Sequence, residues 1–96
     1  EITTDLILNI VAEHFEVTAK DIQSQKRNAE FVIPRQVYMY LCRELIETPL
    51  TNIAKTLGKK DHTTIIHGIK KIEEEMKYNE ELKNKINIIR NILSSS

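Results

Sequence analysis

The chain has 96 residues, 41% of them hydrophobic, with 14 basic and 14 acidic side chains and a formal net charge of zero. That length makes a single small domain over 1–96, able to bury roughly 60–65% of its unfolded surface. Cys42 is the one cysteine, which excludes a disulfide framework or a cysteine zinc site and suits a reducing compartment.

No signal peptide and no run of 18 apolar residues is present, so no membrane-spanning segment is expected. Glycine and proline are scarce, at two each, and no apolar/polar alternation marks a strand, so the chain reads as all-α. It opens on Glu1 rather than Met, and a piece of a longer protein is expected. The neutral total hides a polarised distribution: residues 20–71 carry net +5, residues 1–19 net −4 and residues 72–96 net −1. Such a layout suits a module that offers one basic surface.

Residues 4–16 read as a first helix with Ile7, Ile10, Val11 and His14 on or beside one face. Thr18 and Asp21 have capping-box spacing for a short second helix ending near Gln25. Lys26-Arg27-Asn28-Ala29-Glu30 is polar and has no stripe; with Phe31 it reads as a basic loop over about 26–31. Adjacent cations there suit a phosphate or minor-groove arm, and equally a solvated loop. Pro34 is taken to open a third helix running to about Glu47. Val37, Leu41 and Leu45 face inward in it, while Gln36, Tyr40 and Arg43 share an outer face. Arg35 and Gln36 in its first turn are candidate phosphate ligands.

Thr48 is expected to N-cap the next helix, with Pro49 at its first position. Leu50, Ile53, Ala54 and Leu57 form its apolar face, and Gly58 supplies a left-handed stop. A small residue four positions before a turn glycine is the helix-turn-helix arrangement, here over about 49–78. Ile65 comes late enough to demand an elongated turn. Asp61 can cap the following helix, whose buried stripe is Ile65, Ile69, Ile72 and Met76. Thr63, His67, Lys70 and Glu74 recur roughly 200° away. The wet face therefore has a polar N-terminal tip, as a helix entering a DNA groove end-first requires. A helical hairpin with a solvated face has the same pattern. Asn79 caps a last helix with the stripe Leu82, Ile86, Ile89 and Leu93, and Ser94 to Ser96 are expected to fray.

No catalytic constellation emerges. His62 and His67 lie roughly 140° apart around a helix, so they make no metal pair. Glycines at 58 and 68 cannot form a phosphate-binding loop. The domain reads as a non-enzyme without metal or cofactor of its own.

Asp61-His62-Thr63-Thr64-Ile65-Ile66-His67, followed by Lys70-Lys71-Ile72-Glu73, resembles the signature of the bacterial replication initiator family DnaA, in its C-terminal origin-binding domain. Pro34-Arg35-Gln36-Val37, Tyr40-Leu41 and Arg43-Glu44-Leu45 are similar to that family's P-R-Q helix, and Ser24 to Arg27 sits at its basic loop. The likeness covers nearly the whole chain. It implies a six-helix, Trp-repressor-like fold with an elongated helix-turn-helix. It also implies sequence-specific binding, as a monomer, to short, A·T-rich, non-palindromic DnaA boxes in double-stranded DNA. A bacterial, cytoplasmic, nucleoid-associated initiator is implied, with ATP and Mg confined to an AAA+ ATPase domain through which the parent oligomerises.

By that resemblance Arg27 enters the minor groove, Asp61, His62 and Thr63 read base edges in the major groove, and Thr64 sits beside them. Leu50 and Thr51 lie against thymine methyls or backbone. Lys26, Arg35, Gln36, Arg43, His67 and Lys71 form the phosphate set, and about six such contacts would give a salt slope of roughly −5. The chain departs from the family at Lys59, where a second glycine is usual, at Ala29 and Glu30, where cations are usual, and at Thr51, where proline is common. Two alternatives remain at this point: a dimeric helix-turn-helix transcription regulator, and a helical protein-interaction module docking through Tyr40–Arg43 or Glu73–Glu81.

Overall fold

The computed structural model describes residues 1–59 and 61–95. They form six helices, α1 Thr4–His14, α2 Ala19–Gln23, α3 Ala29–Ile46, α4 Leu50–Thr56, α5 His62–Tyr78 and α6 Glu80–Ser94, with no strand among them. Local chemistry accounts for most of the boundaries. Thr3 accepts from the Leu6 N–H at 3.1 Å and starts α1. The capping box at α2 is complete: the Asp21 N–H reaches the Thr18 hydroxyl at 3.0 Å and the Thr18 N–H reaches Asp21 Oδ2 at 3.3 Å. Asn79 ends α5 and caps α6, accepting from the Leu82 N–H at 3.0 Å. Both α1 and α2 stop two residues earlier than their patterns suggest.

Two boundaries correct the sequence reading. First, α3 begins at Ala29, so Pro34 lies inside it and Ala29, Glu30 and Phe31 leave the loop. The Phe31 and Val32 N–H groups both bond the Asn28 carbonyl at 2.9 Å. Proline at this depth removes one ladder bond, to the Glu30 carbonyl. Glu30 is exposed, so water can supply the missing donor and the helix tolerates the ring. Second, Thr48 does not cap α4; Pro49 holds that position in an extended conformation. Thr48 is buried and gives both its N–H (3.0 Å) and its hydroxyl (3.1 Å) to the Cys42 carbonyl, closing the end of α3.

Helix α3 is the post around which the others stand, packed by α1, α2, α4 and α5. Its middle is buried on every side, Val37 and Tyr38 through Cys42 included. Tyr40, expected on an outer face, is only 8% exposed; Arg90 of α6 donates to its hydroxyl at 2.9 Å and lies 5.8 Å from its ring centre. Burial also pushes the Cys42 thiol up to about 12, so it stays protonated and inert.

The turn between α4 and α5 is a Schellman motif. Gly58 sits at φ +66°, its N–H bonds the Lys55 carbonyl at 3.2 Å, and the Lys59 N–H bonds Ala54 at 2.8 Å. Lys60 lies outside the described residues. Helix α5 then lies against α3 through Ile65 and Ile72, with Ile69 and Met76 partly covered. Gly68 is buried where the two helices meet, and α6 buttresses α5 and α1 with Leu82, Ile86, Ile89 and Leu93. Ser95 bonds the Asn91 carbonyl through its hydroxyl at 2.8 Å, and Ser96 lies outside the described residues.

A Cβ on Gly68 would overlap Met39 Sδ and come within 3.3 Å of Gln36 Cγ. Gly68→Ala would gain about 1 kcal/mol of helix propensity, against about 1–3 kcal/mol for overpacking a core in which Met39 is 2% exposed. Net destabilisation is expected, lowering the thermal midpoint by several degrees in a circular dichroism melt. A variant that melts higher than the parent would show that the α3–α5 contact has room to spare.

Candidate nucleic-acid interface

Because the apolar stripe of α5 turns toward α3 and α4, its opposite face and its N-terminal tip are left outside. Asp61, His62, Thr63 and Thr64 are all exposed, as are His67, Lys70 and Lys71 further along. Asp61 caps the helix through Oδ1, which accepts from the Thr63 N–H at 2.8 Å. That bond, followed by one with the Thr63 side chain, holds the carboxyl below the usual range. The cap is therefore intact at neutral pH and is lost only as pH falls through that lowered value.

The loop before α3 is shorter than the sequence suggested and is tied at both sides. On one side Arg35 of α3 gives Nε to the Ile22 carbonyl (2.6 Å), Nη1 to Lys26 (2.9 Å) and Nη2 to Asp21 (3.1 Å). On the other side Gln23 reaches the Thr56 carbonyl at 3.5 Å and Gln25 reaches Leu57 at 3.2 Å. Lys59 Nζ donates to Gln25 Oε1 at 2.9 Å. The loop is thus clipped to the helix-turn-helix turn, and Arg27 comes out beside the tip of α5. A groove of about 230 Å³ separates them, with Arg27, Lys59, Gln36 and Thr64 in its walls.

The expected phosphate set needs one correction. Arg35 is 4% exposed and its guanidinium is committed to three carbonyls, so it frames the loop rather than meeting solvent. Two of those carbonyls lie in the last turn of α2, where a cation suits the helix end, although Asp21 also accepts from the Ser24 N–H at 3.2 Å and the Ser24 hydroxyl at 2.7 Å. Lys26 is exposed but pairs with Asp21 Oδ1 at 3.0 Å and stands 4.8 Å over the Phe31 ring. Arg43 is exposed and gives one nitrogen to the Thr48 carbonyl at 2.9 Å. Gln36 is half-buried. Lys71 and Arg27 both line a second, larger groove of about 560 Å³ floored by Ile33 and Ile72. Leu50 and Thr51 open α4, the first half-buried against the core and the second exposed.

Sequence reasoning missed Gln23, Gln25 and Lys59 as ties. Their partners are carbonyls or amides more than 30 residues away, which no local pattern announces. Among the described residues no group of three or more His, Cys, Asp or Glu could hold a metal ion, and no helix is long and apolar enough to cross a membrane.

Residues 4–72 match the family described as "Bacterial dnaA protein helix-turn-helix". Relatives named "Chromosomal replication initiator protein DnaA" are similar over almost the whole chain. The one from Lacticaseibacillus casei is 43% identical over 99% of this chain and 21% of its own length. Those from Treponema denticola and Geobacter sulfurreducens are 41% and 42% identical, each over 99% of this chain, and 20% and 21% of their own lengths. The chain thus spans about a fifth of the length of these relatives. A crystal structure titled as a DNA replication initiation factor superposes with a TM-score of 0.83 at 36% identity, over 94% of this chain and 27% of that one.

The frame role of Arg35 separates from a phosphate role by experiment. Arg35→Met removes three charge-assisted bonds and leaves the Ile22 and Lys26 carbonyls without that donor, at about 3 kcal/mol, or a thermal midpoint lower by roughly 12 °C or more. Amide exchange of Gln25 to Asn28 should accelerate with it. Unchanged melting would return Arg35 to the set of surface cations.

Proposed function

Since the chain belongs to the bacterial DnaA family, as its C-terminal helix-turn-helix domain, we propose that it binds double-stranded DNA sequence-specifically at DnaA boxes, for initiation of chromosome replication. One observation carries the reading: an exposed, polar first turn of α5 stands across a groove from an arginine in a loop tied to the helix-turn-helix turn. Two probes so placed can address one duplex from adjacent grooves.

Helix α5 enters the major groove tip first. The Asp61 carboxylate accepts from the exocyclic amine of cytosine, His62 adds a donor or acceptor, and the methyls of Thr63 and Thr64 meet thymine methyls. Arg27 enters the minor groove, where A·T-rich sequence narrows the walls and deepens the negative potential. Leu50 and Thr51 touch thymine methyls or backbone at the mouth of α4. Lys26, Gln36, Arg43, His67 and Lys71 contact phosphates and set the register. The domain acts as a monomer on an asymmetric box and performs no chemistry itself. ATP and Mg belong to an AAA+ domain of the full-length initiator, through which it assembles on the origin, in the cytoplasm at the nucleoid.

Titration of a labelled duplex carrying an A·T-rich DnaA box, against a scrambled duplex at fixed salt, tests this. Tighter binding to the box is expected; equal affinity overturns the proposal. With Arg35 withdrawn, about four cations remain to meet phosphates, so log affinity should fall against log salt with a slope of roughly −4. Arg27→Ala should cost about 1–3 kcal/mol of discrimination, confined to the minor-groove end of the box. Lys71→Ala should weaken all sequences alike and flatten the slope by about one. Identical behaviour of the two variants would sink the division between base and backbone contacts.

A further inference from the structure

The groove between Arg27 and the first turn of α5 holds Lys59, a cation that the roles above leave unused. Its walls carry Arg27, Lys59, Gln36 and Thr64, with Arg35 behind them, and no Asp or Glu among the described lining residues. Lys59 is half-buried there, and its ammonium uses one of three donors on Gln25 Oε1 at 2.9 Å. Burial, then the proximity of Arg35 and Arg27, lowers the Lys59 pKa. In the free chain this is crowded positive charge in a concave strip of about 230 Å³, without a facing anion in its walls.

Geometry says what would fill it. This inference rests on the two-groove reading above. If Arg27 occupies the minor groove and α5 the adjacent major groove, the sugar–phosphate strand dividing those grooves must run between them. The strip is what lies between. We propose that it is the seat of one backbone phosphate of that dividing strand, with Lys59 as its principal cation, the Thr64 hydroxyl and Gln36 amide as further donors, and Gln25 as the positioning residue that aims Lys59. The phosphate carries no sequence information, yet seating it fixes how far the minor-groove and major-groove probes stand from each other along the duplex. Lys59 therefore supports discrimination without touching a base.

The test is a set of box duplexes in which one phosphate at a time is replaced by a neutral methylphosphonate, titrated with the parent, Lys59→Gln and Gln25→Ala. One position between the two contacted grooves should weaken the parent about tenfold while costing Lys59→Gln little, and Lys59→Gln should flatten the salt slope by about one. Gln25→Ala keeps the charge, so the slope should stay while the penalty at that position shrinks. Gln25→Glu, which places a carboxylate against Lys59, should weaken binding and erase the same penalty; it stands in if Lys59→Gln fails to fold by circular dichroism. Equal penalties at every phosphate for parent and Lys59→Gln overturn the seat alone, provided the parent still prefers the box over the scrambled duplex. Loss of that preference in the parent overturns the two-groove reading, and the seat with it.

Discussion

Arg35 gives three N–H groups to the carbonyls of Asp21, Ile22 and Lys26, and the course of the chain between α2 and α3 follows from those bonds. Gln25, Lys26, Arg27 and Asn28 are all exposed, so burial of their side chains supplies little to fix them. A planar fork can span three acceptors at once, which a lysine ammonium on its flexible stem does less well. Burying a guanidinium among carbonyls carries a desolvation cost, visible in its lowered pKa. Hydrogen bonds on all three kinds of nitrogen, and the negative end of α2 beneath it, offset that cost. The loop cation is thus positioned by a residue that never reaches the surface.

The same division of labour runs through α5. Its contact with α3 is close because Gly68 has no side chain there, and its apolar stripe is nearly complete. Residues at the tip, by contrast, bury almost nothing. Stability is carried by the inward face of the helix and the proposed recognition by the outward one, so Thr64 or His67 can change with small consequences for folding. Asp61 is the exception, since one of its oxygens holds the helix end.

What was legible in the sequence was whatever is decided within a few residues. The capping residues Thr18, Asp61 and Asn79, the glycine stop at 58 and the stripes of α5 and α6 all follow from local spacing. Pro34 and Thr48 were misread because each residue type has two habits. Proline favours a helix start but survives deeper where the abandoned carbonyl is wet. Threonine caps the helix ahead of it but can equally close the one behind. Arg35 was misread for another reason: the carbonyls that claim it belong to a segment 9 to 14 residues back, and only tertiary structure brings them together. The roles given to Asp61, His62 and Thr63 came from family resemblance, since exposure alone cannot tell a base-reading side chain from a solvated one.

Asp61 shows why the tip chemistry is economical. A helix N-terminus needs an acceptor for its first N–H groups, and cytosine recognition also needs an acceptor. A carboxylate offers several acceptor positions, and here Oδ1 takes the Thr63 N–H. The cap holds the carboxylate at the helix tip. The cap also keeps the group ionised, and an ionised acceptor repels the phosphates that His67 and Lys71 would attract. On the proposed reading that conflict is resolved by location: the anion would sit at the tip, deepest in a groove, while the lysines would follow along the flank of the helix. Charge order along α5, with acid at Asp61 and lysines at 70–71, is the order that the proposed tip-first entry asks for.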